Sequence, residues 1–212
     1  MAIHNGLHSR RVRKSIGELT YASWKTIPVV RSKASVVSNP RSPAQRIQRF
    51  RMRTLAQLGS SALRVIRKGF SALAIRKSEY NVFTQLNMPE VSATANGVIS
   101  VNYPAIRFSR GERMGFLGLQ APVINGSDLE LTFTPPQAGD LDEEDLGQTL
   151  ILHEQENLVI GIEDDFSKLT GQSTVPLANV PSGAILHVYV FGQDPATGQV
   201  SDTQYAGNVV MP

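Results

Sequence analysis

The chain has 212 residues with an ordinary apolar fraction of 41%, which excludes wholesale disorder and suffices for one large or two small domains. No apolar run reaches the length of about 18 residues that a membrane span needs, no apolar stretch follows the basic N-terminus as in a secretory signal, and the absence of cysteine excludes a disulfide framework, a thiolate metal site and a cysteine nucleophile. The net charge of +3 conceals a split: residues 1–80 hold 17 Lys and Arg against Glu18 and Glu79, whereas residues 81–212 hold 4 against 16 Asp and Glu. Such a split implies either two surfaces with different partners or the basic part of one copy meeting the acidic part of the next.

Residues 1–18 read as a flexible basic arm, with Arg10, Arg11, Arg13 and Lys14 clustered among few apolar residues. An arm of this kind can hold a nucleic-acid backbone by counterion release without reading sequence; a plain surface tail is the other reading. The β-formers LTYASW, KTIPVVR and ASVV between residues 19 and 37 predict two or three short strands, with Pro28 pointing to an edge position. Trp24 reads as a packing anchor rather than a base-stacking platform.

Ser42-Pro43-Ala44-Gln45 predicts a helix start, with Ser42 as cap and Pro43 where a missing N–H costs nothing. The helix runs to about Lys68. Ile47, Phe50, Leu55, Leu58, Ala62, Val65 and Ile66 share its apolar arc, and Arg46, Arg49, Arg53, Arg64 and Arg67 fall on the other side. Arg51 breaks this pattern and has to snorkel or pair. Gly59-Ser60-Ser61 is a place to bend or split the helix, Ser60 or Ser61 then capping a second segment that stops at Gly69. The arginine row is either a solvated face or a docking face for phosphates or an acidic protein surface. The scarcity of neighbouring acids favours docking, because a merely solvated helix mixes signs to gain i, i+4 pairs.

A second helix is predicted over Ser71–Leu86, ended by Asn87-Met88-Pro89, and a domain boundary at 88–89. Beyond it, short β-runs alternate with turn signals: residues 98–101, 113–119, 129–133, 149–153, 158–162, 173–177, 184–191 and 204–211. Spread over about 120 residues, they predict an antiparallel, immunoglobulin-like β-sandwich. Residues 186–191 are apolar on both faces, as in a central strand or one packed against the helical unit. The fold class expected is therefore α+β: a basic N-terminal strand and helix unit, 1–88, followed by an acidic sandwich, 89–212.

The acidic run around Asp140, Asp142, Glu143, Glu144 and Asp145 lacks the spacing of a calcium loop and reads as a solvated loop, as does Glu163-Asp164-Asp165. The four histidines show no zinc spacing, and no phosphate loop or nucleophile elbow occurs. No enzyme, cofactor or metal is expected.

Trp24-Lys25, Val30-Arg31-Ser32, the run Asn39–Gln45 with Gln48-Arg49, Gly69-Phe70, His187-Val188-Tyr189, Val200-Ser201 and Tyr205-Ala206-Gly207 resemble an uncharacterised family of proteins of roughly 200 residues from Bacteroidetes-type bacteria and phages. The N-P-[RN]-[ST]-P-A-Q motif is similar to one in short proteins of phage and prophage gene clusters. The resemblance implies a phage-linked context and no catalytic residue. The expectation is a non-enzymatic virion structural protein, made in the host cytoplasm. Arg10, Arg11, Arg13, Lys14, Arg46, Arg49, Arg53, Arg64, Arg67 and Lys68 would face nucleic acid or an acidic neighbouring subunit; other virion proteins and copies of itself would be its partners. A stand-alone nucleic-acid-binding protein and a surface adhesion module are the alternatives.

Overall fold

The computed structural model describes residues 2–3, 14–24, 27–36, 39–140 and 142–212, which fall into two compact units, 1–41 and 42–212. The expected boundary at 88–89 lies inside the second.

The first unit is a four-stranded antiparallel sheet of β1 (Ala2–Ile3), β2 (Lys14–Ile16), β3 (Leu19–Trp24) and β4 (Ile27–Ser32), in the order β1-β4-β3-β2. Gly17, at φ +57°, supplies the left-handed residue of the β2–β3 turn. Pro28 is not on an edge strand, yet it lies beyond the two residues, Val29 and Val30, that β1 pairs, so its missing N–H breaks no ladder bond there. Residues 33–36 form no strand, and the expectation for the Trp24 side chain lies outside the described residues. None of the unit's described side chains is buried.

The second unit opens with α1 (Pro43–Ser61) and α2 (Leu63–Gly69), started as expected by the Ser42 hydroxyl, which accepts from the Gln45 N–H. The break falls at Ala62, and the two serines bond backwards to the carbonyls of Gln57 and Leu58 rather than capping α2. The next helix, α3 (Glu79–Asn87), is shorter than predicted and is capped by Ser78. Gly59 answers to packing: a Cβ there would lie 2.8 Å from the Tyr80 ring and 3.0 Å from that of Phe83, so α3 crosses α1 where the side chain is missing.

The remaining elements are β5 (Val91–Ala93), β6 (Ile99–Val101), a single 3-10 turn (Tyr103–Ala105), β7 (Val123–Asn125), β8 (Asp128–Thr132), β9 (Leu146–His153), β10 (Leu158–Ser167), a second 3-10 turn (Lys168–Thr170), β11 (Gln172–Pro176), β12 (Ile185–Gln193) and β13 (Gln204–Val210). They make a β5–β6 hairpin, a four-stranded antiparallel sheet β10-β9-β12-β13 and a three-stranded one β11-β8-β7.

The immunoglobulin-like sandwich is not there, and the chain is mostly β rather than α+β. The reason is visible in the alternation of β9 and β12. Ile151, Leu186, Val188 and Val190 face one core with Leu129, Leu131 and Val175 of the three-stranded sheet. Leu150, Leu152, Tyr189 and Phe191 face a second core with Leu55, Leu58, Ile66 and Phe83 of the helices. A sandwich leaves its outer faces polar; this central sheet is apolar on both sides and needs a layer on each. Residues 113–119, expected as a strand, have only isolated bridges at Arg113 and Leu117. Beside them the Gln204 amide substitutes for a ladder, receiving the Phe116 N–H and donating to its carbonyl.

A basic helix face and an acceptor-lined cavity

Arg46, Arg49 and Arg53 recur at three and four residues along α1 and are all exposed, within one narrow arc. The first turn holds no acidic residue, so these cations stand near the positive end of the helix dipole with no carboxylate of that turn to offset it. Arg51, the residue out of pattern, turns inward and donates to the Met88 carbonyl at the end of α3.

On α2 two of the cations are paired within the chain. Arg64 pairs with Asp164, and Lys68 reaches both Asp165 oxygens at 2.9 Å and Asp164 at 3.5 Å. The two aspartates sit between Glu163 and Phe166, where β10 slips register against β9, and Asp165 has φ +56°. Such a bulge re-aims side chains, here towards α2. Hydrogen bonding from Lys68, the largest influence, holds the Asp165 carboxyl below the ordinary carboxylate range. This stretch is therefore a partly exposed clasp within the chain, rather than the unpaired acidic turn its composition suggests. Arg67 is exposed and has no ion pair among the described residues. Lys14 is exposed at the start of β2, and Arg10, Arg11 and Arg13 lie outside the described residues.

The other acidic run is also an anchor rather than a solvated loop. Asp145 is buried and receives the Arg113 guanidinium. Asp142 is buried and receives the ammonium of Lys168, itself 2% exposed, 3.3 Å from the Gly115 carbonyl and 5.0 Å from the centre of the Phe116 ring. Periodicity gave no hint of this, because the cations lie 26 and 32 residues away in sequence.

One polar cluster escaped the sequence reading altogether. His187 on β12 places Nε2 3.0 Å from the Glu154 carboxylate and Nδ1 2.8 Å from the Tyr205 hydroxyl, with its ring stacked 4.2 Å from that of Tyr103. With Nε2–H donating to Glu154, Nδ1 accepts from Tyr205, so a neutral ring satisfies both bonds. Burial, opposed by Glu154, lowers the His187 pKa. Burial, aided by Glu154, pushes the Tyr103 hydroxyl up to about 12. The bonds of this cluster fix its side chains in place.

Beside it opens a cavity of about 490 Å³ between α1, β6 and the β9–β10 turn, lined among others by Ile99, Val101, Tyr103, Glu154, Glu156 and Asn157. The turn is stitched to α1: Gln57 donates to the Glu156 carbonyl, Asn157 to the Thr54 carbonyl, and the Val159 N–H to the Ser61 hydroxyl. Among the described residues no helix is long and apolar enough to cross a membrane, and no group of three or more His, Asp or Glu could hold a metal ion. Compared with curated proteins, the chain has no match. A family model does match it along residues 11–207, across both units and every element from β2 to β12, and the chain belongs to that family, the family of unknown function DUF6266.

Proposed function

We propose that the protein is a non-enzymatic structural protein of a phage particle, whose basic N-terminal part docks on an acidic neighbouring subunit. The carrying observation is the sheet of residues 1–41, which buries none of its described side chains. By register Ile16, Leu19, Tyr21 and Val30 share one face, with Ile16 61% and Leu19 41% exposed. Sheets this small do not hold together in water without an apolar layer against them. A protein neighbour supplies that layer; a nucleic acid does not. Exposed Lys14, Arg31, Lys33 and Arg41 in the same unit give the neighbour's surface its sign. The likeness of the Asn39–Gln45 motif to proteins of phage gene clusters supplies the setting. Contact with packaged nucleic acid through the arginine row is the second reading, favoured by the exposed α1 arginines alone.

Sedimentation of the full chain tests this. Assemblies that shrink at high salt and are lost in an I16D/L19D variant are expected. A monomer with salt-dependent affinity for duplex DNA, weakened by R46E/R53E, supports the second reading. A monomer indifferent to DNA at low salt overturns both.

A further inference from the structure

We infer that the acidic neighbour on which residues 1–41 dock is a second copy of the chain, met through an apolar patch on its residues 114–117 and 168–170. This rests on the docking proposed above, to which it adds the partner and the partner's surface.

Two ion pairs build the patch. Arg113 with Asp145 and Lys168 with Asp142 tie the loop 140–145 to residues 113–117 and to the 3-10 turn Lys168–Thr170. Lys168 Nζ also lies 3.3 Å from the Gly115 carbonyl, and the Leu117 carbonyl accepts from the Thr134 N–H at 2.8 Å. Phe116 and Lys168 turn inward, 3% and 2% exposed. Their neighbours turn outward: Met114, Leu117 and Leu169 are 52%, 58% and 53% exposed. Single exposed leucines are ordinary, but three large apolar side chains on segments fastened together gain by being covered.

Charge decides what covers them. Residues 111–212 contain Arg113 and Lys168 as their only Lys or Arg, against 15 Asp and Glu. Both cations are spent on Asp145 and Asp142, so no cation of that stretch offsets the exposed Glu112, Asp140 and Glu144 beside the patch. The sheet of residues 1–41 is the counterpart. It opens Ile16 and Leu19 to water, and its unit carries 8 Lys and Arg against Glu18 alone. Apolar then meets apolar and a cationic rim meets an anionic one, a complementarity that orients association and rejects wrong pairings. Pairing sheet to sheet, or patch to patch, brings like charges together. The contact is therefore heterologous, running head to tail, and it closes into a ring or continues as a filament.

Sedimentation of complementary variants of the full chain tests this. I16D/L19D disables the sheet and keeps the patch. L117K/L169K keeps the sheet and disables the patch, at positions open enough to take lysine without entering a core. Each alone is expected to stay monomeric at concentrations where the natural chain assembles. Mixed in equal amounts, they retain one intact sheet and one intact patch between them and should form a 1:1 complex. E112K/E144K leaves the apolar residues untouched and should weaken assembly about tenfold, which decides the matter if L117K/L169K does not fold. Assembly of either patch variant at natural strength would overturn the inference and leave the docking itself standing, with a different acidic protein as neighbour. A mixture that stays monomeric, or a natural chain monomeric at every concentration, would also overturn it. Assembly that survives I16D/L19D would remove the docking and this inference together.

Discussion

Lys168 lies at 2% exposure, its side-chain nitrogen enclosed by Asp142, the Gly115 carbonyl and the Phe116 ring. An ion pair so placed gives up hydration on both sides, so its worth shows chiefly when one partner is removed. Lys168→Met strands the Asp142 carboxylate, and a loss of about 3–5 kcal/mol is expected in urea denaturation. Adding Asp142→Leu should restore most of it, because the double variant has no buried charge to strand. His187 gives the same scale a pH dependence. Its pKa is lowered on folding, chiefly by burial, so the unfolded chain binds the proton more readily. The stability conferred by the neutral ring is whole above the ordinary value of 6.5 and is lost as pH falls from there to the folded value. The denaturation midpoint should fall across that window in the natural chain and stay flatter in His187→Asn, above the pH at which carboxylates protonate.

At the scale of elements, α1 was the most legible part of the chain and also the one whose details needed neighbours. Its cap, apolar arc and exposed arginines follow from local chemistry and one period, and they are found where the pattern places them. Gly59 does not follow: its role is set by the rings of Tyr80 and Phe83, more than twenty residues on. Gly59→Ala gains about 1 kcal/mol of helix propensity but forces α3 away from α1. A net loss of about 1–2 kcal/mol is expected, with Tyr80→Ala recovering part of it by opening the space. The strands were legible wherever apolar residues run together, as in β9 and β12. Their layering was legible only at residues 186–191, apolar on both faces and central against the helices; elsewhere alternation tells which residues share a face and nothing of what covers it. The same limit hid the clasps of Asp164 with Arg64 and of Asp142 with Lys168. Composition registers a run of acids, while burial and bulges decide whether it meets water or an internal cation. The cavity was invisible for the same reason, since α1, β6 and the β9–β10 turn meet only in the fold.

For the whole molecule, the two units obey different thermodynamics. Residues 42–212 bury two apolar cores that share the central sheet, so they can unfold as one cooperative body. Residues 1–41 have a continuous antiparallel register over β2–β4 but no buried side chain among those described, and backbone hydrogen bonds open to water add little net stability. Backbone ordering costs about 1–2 kcal/mol per residue, which such a sheet can offset only by covering its apolar face. Hydrogen exchange of the full chain should therefore separate into two classes at concentrations where the protein is monomeric. Amides of residues 19–32 should exchange rapidly while those of β9 and β12 remain protected. Raising the concentration, or adding the acidic neighbour, should slow exchange in residues 19–32 and leave the central sheet unchanged. Substituting Ile16 and Leu19 with aspartate should remove that slowing without altering protection in β9. Strong protection of residues 19–32 in the dilute monomer would mean that the sheet is stable without a partner, and the case for docking through it would fail.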